Sequence, residues 1–168
     1  MSDGTYSICP GCSLRLPASP EGANPRAGSS RECQRLCDEL AFYTLSRGDI
    51  FFIHQVLVDA YAAQHATASS KAITVAFALI GLFLFLERGY TGKEVQREHV
   101  RLARLSKEWP AFTLPSSRGD WTVADVLQAP SGEKRDAALK QWAASVWATW
   151  SKEHAKVIAL LKRFPERN

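Results

Sequence analysis

Four cysteines carry the most specific chemistry in this chain: Cys9 and Cys12 with two residues between them, and Cys33 and Cys37 with three. In Cys9-Pro10-Gly11-Cys12 a tight turn, eased by the glycine, lets two thiolates reach one tetrahedral cation. The full pattern, Cys-x2-Cys-x20-Cys-x3-Cys, is close to the spacing of four-thiolate structural zinc sites. On a helix, Cys33 and Cys37 point from the same face. They either complete the site or pack as small apolar residues. Redox chemistry at the Cys-x-x-Cys pair would need a strand–helix context like that of thioredoxin, and the flanking residues offer none. The expected cofactor is a structural zinc ion held by Cys9, Cys12 and Cys33, with Cys37 or His65 as fourth ligand.

The chain has four histidines. His65 falls at a helix end, where its ring can serve a metal or face the helix dipole. His54, His99 and His154 fall on the inner or bordering faces of three different helices and could converge. Metal-dependent helical-bundle enzymes gather ligands in this way, but their Glu-x-x-His signature is missing here. His54 is expected to be a core histidine with a hydrogen-bond partner, and a small metal-dependent enzyme built on the three is the alternative function. Asp59 is expected in solvent or against a neighbouring loop. No Gly-rich phosphate loop and no Gly-x-Ser-x-Gly elbow occurs. Lys93, Arg97, Arg101 and Arg104 share a helix face. Glu94 and Glu98 stand three residues before Arg97 and Arg101, a spacing that favours surface pairing and predicts a solvated face.

The elements that must position these residues are helical throughout. Ser29-Ser30-Arg31-Glu32 is a capping-box pattern opening a helix to about Leu45. Asp49 caps the next, about Ile50 to His65, with Ile50, Ile53, Leu57, Tyr61 and Gln64 inward. Ser69 or Ser70 starts an apolar helix that stops before Gly89. Thr91-Gly92-Lys93-Glu94 starts the charged helix, which runs to about Lys107 with Val95, Leu102 and Leu105 inward. After a loop, Thr122 opens a short helix to Gln128. A single long helix then follows Gly132 to about Lys162, with the stripe Leu139, Trp142, Val146, Trp150, Val157 and Leu161. No segment alternates with a strand period over a useful length. The fold class predicted is all-α: an antiparallel bundle of four to five helices in one domain (1–168), with a knuckle segment (1–29) clamped to the bundle (30–168).

Hairpin geometry bears on the fourth ligand. Mirroring the first two helices about the break at Arg47-Gly48 places Cys33 opposite roughly residue 62 and Cys37 opposite roughly residue 58. At ~1.5 Å per residue His65 then lies within about one turn of Cys33, at the open end that the knuckle enters. This favours His65, with Cys37 one turn deeper.

Bulk composition agrees with an ordinary globular chain of 168 residues, 46% hydrophobic and 23% charged. The start, Met-Ser-Asp-Gly-Thr-Tyr, lacks the pattern of a secretory signal. A cytoplasmic protein is expected, and there thiols serve metal more readily than disulfides. The apolar stretch Ala72 to Leu86 falls short of the ~20 residues needed to span a bilayer and is expected to be a buried core helix. A formal net charge of +4 is too small and too spread for a nucleic-acid partner to be expected. A protein partner is compatible with these features, and the oligomeric state is open.

The Cys9-Pro10-Gly11-Cys12 knuckle, Val58-Asp59-Ala60-Tyr61-Ala62-Ala63-Gln64-His65, Leu86-Glu87-Arg88-Gly89, Thr122-Val123-Ala124-Asp125-Val126 and the Trp142 to Trp150 stretch follow one another in this order. The combination resembles a bacterial domain-of-unknown-function family of small helical proteins, over nearly the whole chain. The resemblance implies a zinc site and brings no established activity. In the family pattern a cysteine matches Cys33 and a histidine matches His65, and the place of Cys37 is usually aromatic. The function class that follows is a metal-stabilised cytosolic binding or regulatory module.

Overall fold

The computed structural model describes residues 4–21 and 24–165. The turn expected at Gly22 and the first three residues of the start lie outside them. Two short strands open the chain, β1 (Tyr6–Ile8) and β2 (Arg15–Pro17), paired antiparallel with Tyr6 opposite Pro17 and Ile8 opposite Arg15. They correct the expectation of a strandless chain. Three residues are too few for a two-residue period to stand out. The Cys-x-x-Cys knuckle is the tip of this hairpin, closed by Cys9 N–H to Leu14 O at 2.9 Å and Ser13 N–H to Cys9 O at 2.9 Å.

The described residues hold seven helices, more than the four or five expected. They are α1 (Arg31–Ser46), α2 (His54–Gln64), α3 (Ala72–Arg88), α4 (Gly92–Leu105), α5 (Val123–Gln128), α6 (Glu133–Thr149) and α7 (His154–Lys162). Helix α2 is the centre of the arrangement and packs against α1, α3, α4 and α6. α1 starts from Ser30, whose hydroxyl accepts the N–H of Cys33 at 3.1 Å. The expected reciprocal bond from Glu32 is not made within the box. Its carboxylate instead accepts the N–H of Ser19 at 2.8 Å and so ties down the strand that leaves the knuckle.

α2 begins four residues later than expected. Asp49 accepts the N–H groups of Phe51 and Ile53, both at 2.9 Å, and turns the chain so tightly that Phe52 sits at φ 56°. Ile50, placed on the inner face by periodicity, is therefore thrown outward and 79% exposed. α3 is the apolar helix, and Val75, Leu79, Ile80, Leu82 and Leu84 are buried along it. It starts after Lys71 without a side-chain cap, because Ser70 instead accepts the N–H of Thr67 at 2.9 Å. Its end at Gly89, in the left-handed region at φ 69°, is as expected. No helix among the described residues is long and apolar enough to cross a membrane.

The capping box of α4 forms as read, with Glu94 accepting the N–H of Thr91 at 2.7 Å. The helix stops at Leu105, so that Leu105 faces out instead of in and is 56% exposed. The long last helix is two. At Trp150 the chain tightens through Ser151–Glu153, and α7 sets off anew. The carbonyl of Trp147 takes the N–H of Trp150 at 3.0 Å and contacts His154 Nε2 at 2.9 Å, while the His154 ring stacks on the Trp147 indole at 3.7 Å. No proline or glycine marks this break, and the buried stripe Leu139, Trp142, Val146, Trp150 and Val157 runs straight through it. Leu161, at its end, is half-buried.

Candidate metal centre

Three parts of the chain meet at the C-terminal end of α2. The hairpin tip brings Cys9 and Cys12, the first turn of α1 brings Cys33, and the residue after α2 is His65. One ligand atom from each lies within 4.8 Å of all the others, and all four residues are buried. This is the only such group among the described residues. Cys12 Sγ is 3.8 Å from Cys33 Sγ, and Cys33 Sγ is 3.4 Å from His65 Nε2. All four cysteines are free thiols.

The surroundings orient each group. His65 Nδ1 is 2.9 Å from the carbonyl of Tyr61, one turn back, which assigns the proton to Nδ1 and leaves the Nε2 lone pair facing the sulfurs. The Ser30 N–H points at Cys9 Sγ from 3.5 Å. Tyr61 is the residue that sequence reasoning missed. Its hydroxyl donates to Cys33 Sγ at 3.5 Å and lies 2.8 Å from Ser29 Oγ, while its ring stacks on His65 at 3.9 Å. One signal could have found it, namely its place one turn before His65 on the same helix face. Two glycines allow the close approach. A Cβ at Gly11 would strike the His65 ring and the Gly28 carbonyl, and one at Gly28, where φ is 85°, would strike the His65 carbonyl.

Three thiols this close cannot all ionise on their own. Hydrogen bonds from Cys12 and Cys33 pull the Cys9 thiol down, and the neighbouring Cys12 and Cys9 together with burial push the Cys33 thiol up. A cation among them would remove the conflict.

Cys37 is elsewhere. It is buried one turn deeper along α1, outside the four-residue group, and burial pushes its thiol up to about 12. The other histidines do not converge. His54 Nδ1 is 2.8 Å from Thr44 Oγ1, His99 stacks on Phe77 at 4.8 Å, and His154 is held by Trp147 as described. Burial lowers His54 and holds His99 at about 4. With separate neighbours and no common ligand group, they give the alternative of a histidine-centred enzyme no support.

Two further polar residues of α2 have roles that periodicity alone does not reveal. Gln64 Nε2 donates to the carbonyls of Arg118 at 2.9 Å and Trp121 at 2.7 Å, and its Oε1 accepts the Trp142 indole N–H at 3.0 Å. Arg118 returns the contact, donating to the carbonyls of Gln64 at 3.0 Å and Ala66 at 2.8 Å, where a cation suits the end of a helix. Asp59, expected in solvent or at a loop, is buried between α2 and α3. Its carboxyl lies against Gly81, where any Cβ would collide with it, and Gln55 Nε2 donates to it at 3.1 Å. Burial holds its pKa well above the usual carboxylate range.

No curated protein and no solved structure matches this chain. A protein-family model does match it, over residues 7–151, a span that contains all four residues of the cluster and the whole of α2. The chain thus belongs to the family of unknown function DUF5946.

Proposed function

We propose that Cys9, Cys12, Cys33 and His65 hold one structural zinc ion, and that the chain is a metal-stabilised binding or regulatory module. The observation that carries this is the fit of the cluster to the ion. Zn–S near 2.3 Å and Zn–N near 2.0–2.1 Å in a tetrahedron put sulfurs ~3.8 Å apart and sulfur and nitrogen ~3.5 Å apart. Cys12 Sγ to Cys33 Sγ is 3.8 Å and Cys33 Sγ to His65 Nε2 is 3.4 Å, and the remaining pairs lie within 4.8 Å. A disulfide would bring the sulfurs to ~2.05 Å. Three soft thiolates and one imidazole select zinc over the hard cations. Because all four residues are buried, no open position is left for a substrate, which supports a structural site over a catalytic one. Reduced thiols suit the cytosol.

When bound, the ion supplies positive charge and a cross-link. The protein does the rest: the Tyr61 carbonyl sets the His65 tautomer, the Ser30 N–H and Tyr61 hydroxyl stabilise thiolate charge, and Gly11 and Gly28 admit the imidazole. The test is metal content by mass spectrometry of protein purified without chelator. One zinc per chain is expected, lost in Cys33→Ser and His65→Ala and retained in Cys37→Ser. A folded, metal-free chain with four titratable thiols would refute the assignment, and loss in Cys37→Ser with retention in His65→Ala would move the fourth ligand to Cys37.

A further inference from the structure

The outward face of α4 differs from the solvated, internally paired face that its sequence suggests. Arg101 does pair with Glu98, and its guanidinium also donates to the carbonyls of Phe164 at 2.8 Å and Pro165 at 3.3 Å. The other pairing is not made. Glu94 is committed to the capping box of Thr91, and Arg97 has no ion pair among the described residues. Arg104 has none either, nor does Arg163 just beyond α7. All three are exposed, and all three line one groove of about 510 Å³ between α4 and the end of α7.

The same groove exposes apolar side chains. Val100, 48% exposed, and Leu105, displaced outward by the early end of α4, line it together with the arginines. Arg97 and Arg104 are two helical turns apart, about 10 Å along the axis. The only acidic residue at this wall of α4 is Glu98, and Arg101 already neutralises it. Among the described residues, then, three guanidinium groups without an ion pair line the groove beside the exposed Val100 and Leu105.

We propose that this groove docks an acidic segment of a partner protein, with carboxylates on Arg97, Arg104 and Arg163 and an apolar side chain against Val100 and Leu105. Charge complementarity selects the sign of the partner, and planar guanidinium groups suit carboxylates as bidentate partners. The apolar side chains favour a peptide over a nucleic acid, whose phosphates would face Val100 and Leu105, while the aromatic ring lining the groove, Phe164, is half-buried and already packed against Trp109 and Arg163. The concave shape disfavours a lipid surface, which is met best by a protruding apolar face. The proposal rests on the reading of the chain as a binding module and is independent of the zinc, which lies at another set of elements.

The probe is a fluorescein-labelled 14-residue amphipathic peptide of Glu, Leu and Ala, followed by fluorescence anisotropy on the full chain. Saturable binding is expected, weakened at least tenfold in the Arg97→Gln/Arg104→Gln/Arg163→Gln protein. It should weaken at least threefold in Leu105→Ser, and when the peptide glutamates become glutamine. Lys140→Gln, on a different face, should leave it unchanged. Unaltered thermal midpoints in the variants separate lost docking from lost folding. No binding to the wild-type chain, or binding indifferent to the arginines, overturns the proposal. So does tighter binding, through the same arginines, of vesicles containing 30% phosphatidylserine or of a 20-nucleotide single strand. Zinc content is measured on the same samples: a zinc-free chain that still binds the peptide removes the metal reading and keeps the groove.

Discussion

The N-terminal clip and the α2–α3–α6 centre of the molecule are held together by different physics. Around α3 and α6 large apolar side chains such as Leu79, Ile80, Trp142 and Trp150 are almost wholly buried, so that stability is spread over many contacts. In residues 4–21 and 24–30 the exposed Tyr6 and Ile8 leave little apolar surface to bury, and the segment is held at points: the Cys9, Cys12, Cys33 and His65 cluster, Glu32 on the Ser19 N–H, and two glycines against His65. Distributed burial degrades gradually under substitution. Point attachment fails at single residues. Removing a ligand should therefore free a segment, whereas truncating a core side chain should weaken the whole.

The sharpest contrast is with Leu79→Ala. This buried leucine on α3 should cost ~2–5 kcal/mol of global stability, read from the denaturant midpoint, with zinc still bound to the folded fraction. Chelation should do the opposite. Hydrogen-exchange protection should fall for residues 4–21 and at the start of α1 while α3 remains protected, because the helices have their own core, unlike an isolated zinc finger. Equal loss of protection in both regions would erase the distinction.

A smaller effect belongs to Asp59, the acid buried between α2 and α3. Asp59 binds a proton more tightly when folded than when unfolded, because burial raises its pKa. Between the unfolded pKa near ~3.9 and the raised folded value, the folded state carries the extra proton, so stability falls as pH rises through that window. Asp59→Asn, which keeps an acceptor for Gln55, should flatten that slope and raise the thermal midpoint at neutral pH by less than Leu79→Ala lowers it. A midpoint equally pH-dependent in both proteins would show that other groups set the slope. The smallest global effect is expected from Tyr61→Phe. Loss of one hydroxyl should cost ~1 kcal/mol, but zinc should transfer to a competing chelator ~10-fold faster or more, since Tyr61 contacts both Cys33 and His65. Unchanged transfer would reduce Tyr61 to a packing residue.

How much of this could be read beforehand follows the same division. The knuckle was legible because Cys9-Pro10-Gly11-Cys12 encodes its geometry within four residues, and His65 because two antiparallel helices about Arg47-Gly48 fix what lies opposite Cys33. α3 was legible from its unbroken apolar run, and α4 from the Thr91–Glu94 box. What escaped depends on choices between equivalent partners. Glu32 could cap its own helix or tie down Ser19, and nothing local decides. The break at Trp150 is tertiary too, since the His154 ring on Trp147 takes over a carbonyl that a continuous helix would satisfy. The buried place of Asp59 needed Gly81, on another helix, to be known as its neighbour.

The side chain of Gln64 has a consequence for how the chain can vary. It serves three groups at once, two carbonyls through one nitrogen and an indole N–H through its oxygen. Glutamate offers no donor for the carbonyls of Arg118 and Trp121, methionine lacks the donors altogether, and asparagine is one methylene short of the same reach. A walk through sequence space by single substitutions is thus closed at this position. Neighbouring α2 residues such as Ala62, half-buried and without such duties, remain open to exchange.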